Sequence, residues 1–319
     1  MTVNEWAAQS RYSDPGPYAA LLDTLPTDVH ALGVVVRNLL VHYRAGGVEL
    51  PAERLAEIDL RWVDRILAAD RARNGDTPLA VSRAAVERVA GCCRDFTLLT
   101  VAALRHRGTP ARSRVGFAGY FEPGFHNDHV VVEYWDGARW VLTDAQLDPA
   151  VGWEFDTSDM PRDDEAVFWT AARTWTAVRR GEVDPELFGV DPGLPIRGAW
   201  LVRDYVLQEL AHRRRDELLL WDGWGVMSTA GGADPDADAL VDEVAALLLA
   251  ADDGDADAER ELAVRYRDDA RLRPDGKVLS FSPTGRRTWV DLDARRETAP
   301  PVDARTGGPL AAAMTHPWA

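Results

Sequence analysis

Residues 129–144 read HVVVEYWDGARWVLTD, two runs of β-branched and aromatic side chains around Asp136-Gly137. That dipeptide is favoured in the tight turns that join antiparallel strands, so the segment predicts a hairpin. A hairpin in water is marginal alone and has to bury a face against other elements. The chain on either side supplies helical rather than alternating periodicity. Helices, then strands, then helices predict an α+β fold with one antiparallel sheet.

The helical signals before the hairpin are spaced as follows. Pro17-Tyr18 opens a short helix over 17–25. A second starts at Thr27 as N-cap, carries Val29, Leu32, Val36, Leu39, Leu40 and Tyr43, and stops at Gly46-Gly47. A third starts at Pro51 with Leu55, Ile58, Trp62 and Ile66 on one side. Residues 77–90 also read as helix, and 92–107 form an apolar helix between Gly91 and Gly108. Residues 111–121 are strand-like. After Pro161, helices are predicted over 163–181, 198–213, 237–251 and 257–270, followed by a Pro/Gly-rich tail. At 319 residues the chain exceeds what one core usually holds. The expected division is an N-terminal helical region at 1–75, a central core with its following helices at 76–229, and an acidic helical extension with tail at 230–319. Residues 230–236 (AGGADPD) are the best linker candidate.

Charge narrows the functional classes. Fifty-two acidic against 36 basic residues leave a net charge of −16. That argues against a nucleic-acid partner, which needs a basic face, and against docking on anionic membranes. Arg213-Arg214-Arg215 reads as a solvated helix end. No apolar run is long enough to span a bilayer, and the start shows no secretory leader, so a cytoplasmic protein is expected. The two cysteines, Cys92 and Cys93, are adjacent and unsuited to an ordinary mutual disulfide.

Chemistry gathers at three positions. Cys93 lies at the start of the predicted 92–107 helix, where unpaired backbone N–H groups and the helix dipole favour the thiolate. With Asp136-Gly137 as a two-residue turn, Trp135 opposes Ala138, Glu133 opposes Trp140, and His129 opposes Asp144. Directly opposed side chains share a face, so Asp144 can hold one imidazole nitrogen and leave the other for a nucleophile. His126 and His129 also stand three apart, a spacing that suits metal ligation from a helix. This stretch leads into a strand, however, and neither a metal nor another cofactor is expected. Trp135 and Trp140 fall on the predicted His129 face and are candidate substrate contacts, as is Asp95 beside the cysteines.

Gly91-Cys92-Cys93-Arg94-Asp95-Phe96, Gly108-Thr109-Pro110-Ala111-Arg112, Asp128-His129, and Glu133-Tyr134-Trp135-Asp136-Gly137 with Trp140 and Asp144 together resemble the bacterial transglutaminase-like superfamily. The resemblance covers residues 80–150. It implies a papain-like core with Cys93 as nucleophile, His129 as base and Asp144 as the orienting acid. The implied function is acyl transfer through a Cys93 thioester, by amide hydrolysis or amide formation, on an amide- or ester-containing small molecule, peptide or protein. Two positions depart from the pattern. Cys92 stands where Asp or Asn is usual, and Val130 follows the histidine where an aromatic is common. The alternative is an inactive scaffold of the same fold that binds a protein or peptide partner.

Overall fold

The computed structural model describes residues 3–162, 164–227 and 234–299. Its helices are α1 (Ala19–Leu22), α2 (Val29–Leu39), α3 (Ala52–Leu55), α4 (Val63–Asn74), α5 (Cys93–His106), α6 (Ala171–Arg179), α7 (Ala199–Arg213), α8 (Pro235–Asp252) and α9 (Ala256–Asp268). Its strands are β1 (Leu40–His42), β2 (Val89–Gly91), β3 (Ala111–Glu122), β4 (Phe125–Trp135), β5 (Trp140–Thr143), β6 (Phe168–Thr170), β7 (Phe188–Gly189), β8 (Asp222–Gly223), β9 (Lys277–Phe281), β10 (Arg287–Asp291) and β11 (Arg296–Thr298). The fold is α+β. Among the described residues no helix is long and apolar enough to cross a membrane.

The chain divides into two compact units that do not follow sequence order. The first comprises Met1–Arg114, His129–Arg162 and Arg215–Leu219, and the second holds the rest. The N-terminal helices therefore share a unit with both cysteines. Of the linker candidate, residues 230–233 lie outside the described residues, and α8 begins at Pro235 behind the Asp234 N-cap.

The first unit is built around α5. Residues Cys93–Arg105 are buried without interruption, so this helix has no solvent face. Its polar side chains survive burial because each makes hydrogen bonds. Arg94 bonds Asp95 and the carbonyls of Arg61 and Glu217. Thr97 donates to the Val130 carbonyl at 2.7 Å, and Arg105 pairs with Glu217 at 2.8 Å. β1 and β2 form a parallel pair in which Leu40, Val41 and His42 oppose Val89, Ala90 and Gly91.

The hairpin differs from its expected register. Trp135 opposes Trp140, and Val132 opposes Thr143. Asp136-Gly137 is part of a four-residue connection closed by Asp136 N–H to the Arg139 carbonyl. The slip amounts to two residues in the sheet's period of two, so every side chain keeps its face. Asp144 becomes a diagonal rather than direct neighbour of His129, just past the end of β5.

The same hairpin buries Glu133 completely among Arg112, Arg114 and Arg162. The Arg112 guanidinium also lies 4.3 Å from the Trp140 ring centre and 5.2 Å from that of Trp6. Removing the carboxylate breaks its ion pairs with two buried arginines, and breaking a buried pair typically costs about 3–5 kcal/mol. Glu133→Ala is therefore expected to lower the denaturant midpoint by that amount of stability. A shift worth under about 1 kcal/mol would show that the arginines find other acceptors.

Three further expectations fail for physical reasons. Residues 77–88 are a loop with a single 3-10 turn at Ala85–Glu87 and 89–90 open β2, because the Arg83 side chain, held by Asp70, takes the carbonyls of Leu79 and Val81 that a helix would use. The helix from Pro51 is broken at Arg61, which adopts a left-handed conformation (φ 53°) and turns its carbonyl to Arg94. The second helix ends at Leu39 and passes straight into β1 rather than reaching Gly46.

The second unit packs α6, α7, α8 and α9 against one another, with α7 buried from Leu201 to Arg213. Residues 163–181 contain β6 and a shorter helix than expected. β6 pairs with β3 through Gly116–Ala118, and β7 pairs with β4 through His126 and Asn127. Where a Pro/Gly-rich tail was expected, residues 277–298 form β9, β10 and β11, which join β8 in an antiparallel sheet. The tail beyond residue 299 lies outside the described residues.

Candidate active site

Gly91 ends β2, Cys92 caps α5, and Cys93 is its first helical residue. Asp95 accepts from the Cys92 backbone N–H at 2.9 Å and pairs with Arg94 at 2.9 Å. A Cβ on Gly91 would approach the Asp95 carboxylate to 3.0 Å, so glycine there leaves room for this cap. Asp95 is thus spent on the helix start.

β4 brings His129 to the Cys93 sulfur. The imidazole, the Cys92 thiol and the Val130 backbone all act on the sulfur in the direction that favours its thiolate. On the other side of the ring, His129 Nε2 lies 2.7 Å from Asp144 Oδ2. Nδ1 is therefore the nitrogen left for sulfur. His129 and Asp144 are both buried. Asp144 is fixed in turn, with Oδ1 accepting from Gln146 N–H at 2.8 Å and its own N–H donating to the Thr157 carbonyl at 3.1 Å. Arg37, half-buried, donates to the Ala145 carbonyl at 3.2 Å.

The environment charges this pair. Cys93 is lowered to about 5, first by the Cys92 hydrogen bond and then by the His129 bond and charge, which together outweigh burial. Cys92 is raised well above the ordinary thiol range because it is the donor to Cys93, and burial acts in the same direction. Burial alone would lower His129, but the charge and hydrogen bond of Asp144, with Cys93, raise it to about 10. The two titrations belong to the pair, which is thiolate–imidazolium between those limits.

The sequence pattern missed His42. It ends β1 opposite Gly91, and its partly exposed ring stacks on Tyr43 with centroids 5.2 Å apart. Burial, followed by repulsion from His129, lowers it to about 3, so it is neutral. Its position inside an apparently helical run, LLVHY, gave no signal of a strand end.

Trp135 and Trp140 are packed edge to face, 5.8 Å apart, at the turn end of the hairpin. Six residues of strand, about 20 Å, separate Trp135 from His129. Trp140 covers Arg112, and neither tryptophan is gathered with the three site residues. His126 stacks on Phe188 at 4.4 Å, and no cluster of three metal-type ligands occurs among the described residues. A cavity of about 320 Å3 in the second unit, lined by Trp200, Trp224, Phe281 and Trp289, contains none of the three site residues.

No curated protein gives a match to the chain. Among solved structures, a candidate cysteine protease from Cytophaga hutchinsonii is 22% identical over 52% of this chain and 50% of its own, with a TM-score of 0.29. The transglutaminase-like superfamily model matches residues 45–145, a span that includes Cys93, His129 and Asp144. Residues 45–145, about a third of the chain, are thus similar to the transglutaminase-like superfamily.

Proposed function

We propose that the chain is a cysteine-dependent acyl-transfer enzyme with Cys93 as nucleophile, His129 as acid and base, and Asp144 as the group that orients and charges His129. One observation carries the reading: the buried His129 ring holds Asp144 at 2.7 Å on one side and favours the thiolate of the buried Cys93 on the other. The resting thiolate attacks an amide or ester carbonyl. His129 gives its proton to the departing amine or alcohol, leaving a Cys93 thioester. Water or an amine, deprotonated by His129, then releases the acyl group. The first acceptor makes the enzyme a hydrolase and the second a transferase.

Intact-mass spectrometry after addition of p-nitrophenyl acetate is expected to show one acetyl group, on Cys93. Iodoacetamide is expected to label Cys93 with a rate that rises through pH about 5 and then levels off, while Cys92 stays protected. Labelling that follows an ordinary thiol, with a midpoint near 8.5, would remove the nucleophile. Protein that labels normally but never acylates would fit a binding scaffold instead.

A further inference from the structure

Thioester formation passes through a tetrahedral oxyanion, which needs fixed donors to be catalysed. The Cys93 backbone N–H is one candidate, because the first N–H groups of a helix have no intrahelical acceptor. A second donor has to sit beside the start of α5, carry a free N–H, and bring no extra positive charge next to the His129 imidazolium.

His42 meets each requirement. The parallel β1–β2 register sets it opposite Gly91, two residues before Cys93, and Tyr43 N–H donates to the Gly91 carbonyl at 3.0 Å. Its Nδ1 accepts from the backbone N–H groups of Arg44 at 3.2 Å and Ala45 at 3.1 Å. A neutral ring that accepts at Nδ1 carries its proton on Nε2. Among the described residues, none takes a hydrogen bond from that Nε2–H. The turn that clamps Nδ1 depends on Gly46, where a Cβ would fall 2.4 Å from Val41 Cγ2 and 2.5 Å from the His42 carbonyl oxygen. The ring is thus anchored at one nitrogen, stacked on Tyr43, partly exposed, and left with one unspent donor. His42 lies outside the residues that the family model covers.

We infer that the His42 Nε2–H is an oxyanion donor of this site, paired with the Cys93 backbone N–H. The inference rests on the acyl-transfer reading above. In the step it assists, the Cys93 sulfur–carbon bond forms as the carbonyl electron pair moves onto oxygen, where His42 and Cys93 N–H receive it. The pair then returns to carbon, the bond to the leaving group breaks, and His129 supplies the proton that an amine or alcohol needs. A neutral imidazole can play this electrophilic part without adding charge to the site.

The test compares two reactions of the same sulfur in full-length protein. Acetylation by p-nitrophenyl acetate develops an oxyanion, whereas alkylation by iodoacetamide does not. His42→Ala is expected to slow acetylation by about 10²–10³-fold while leaving the alkylation rate and its midpoint near pH 5 unchanged. His42→Gln, which can accept from the turn and donate through its amide, is expected to recover part of the loss. It is read by the same ratio, so failure of the alanine variant to fold would not remove the test. Wild-type protein that acetylates, with an unchanged acetylation-to-alkylation ratio in the variants, would overturn the role of His42 and leave the acyl-transfer reading standing. Wild-type protein that never acetylates would overturn both.

Discussion

His129→Ala is expected to lower turnover of an acyl ester by about 10⁴–10⁶-fold, the range found when one member of a mutually dependent catalytic set is removed. The loss has two parts. Without the imidazolium, Cys93 loses a hydrogen bond and a positive charge that hold its thiolate, while the burial that opposes ionisation stays. Without the imidazole, no group delivers a proton to the leaving amine or activates the incoming water. Iodoacetamide separates these effects, because alkylation needs only the thiolate. Its midpoint is expected to move upward from about 5, partially restrained by the remaining Cys92 hydrogen bond. The plateau rate is a poorer readout, since a more basic thiolate is also a better nucleophile. An unmoved midpoint would mean that His129 does not hold the thiolate, and a turnover loss below about tenfold would take the base away from this histidine.

The parts of this site that could be read in the sequence are those written in local chemistry. Gly91-Cys92-Cys93 before an apolar run gave the helix start, and the β-branched runs around Asp136-Gly137 gave the hairpin. Asp144 was reached through the wrong register, and the reason it still meets His129 is general. Slipping a strand by two residues preserves the face, whereas a slip of one would have turned Asp144 away. A carboxylate three residues after an N-cap position commonly closes the helix start, and Asp95 does so here.

What could not be read depends on partners distant in the chain. β1 and β2 are three residues each and pair across 49 positions, so neither shows an alternating pattern long enough to recognise. His42 becomes a candidate only when that pairing sets it beside Gly91. The loop over 77–88 has helix-forming composition, but carbonyls within it are claimed by Arg83, which Asp70 holds from another element. The tertiary arrangement overrides local propensity in both places. The position of Trp135 and Trp140 was a matter of distance rather than of face. Alternation puts them on the side of His129, but strand length carries them to the other end of the hairpin.

Asp144→Asn is the second large effect, a fall in turnover of about 10³–10⁴-fold. Both carboxylate oxygens are in use as acceptors: Oδ2 faces His129 Nε2 at 2.7 Å and Oδ1 accepts from Gln146 N–H at 2.8 Å. Asparagine has one acceptor and one NH2, so it can serve only one of these donors. If its oxygen keeps Gln146, its NH2 meets Nε2 and forces the proton onto Nδ1. A neutral ring in that state offers sulfur a hydrogen where a base needs a lone pair. If its oxygen turns to His129, the Gln146 N–H faces another donor, which disfavours the productive arrangement. In either case the negative charge that raises His129 to about 10 is gone. The alkaline limb of the pH–rate profile should therefore move downward, because the imidazolium is lost at lower pH, and the Cys93 midpoint should rise as its partner loses charge. Asp144→Asn protein with wild-type turnover and an unshifted alkaline limb would show that Asp144 only fills space behind the ring.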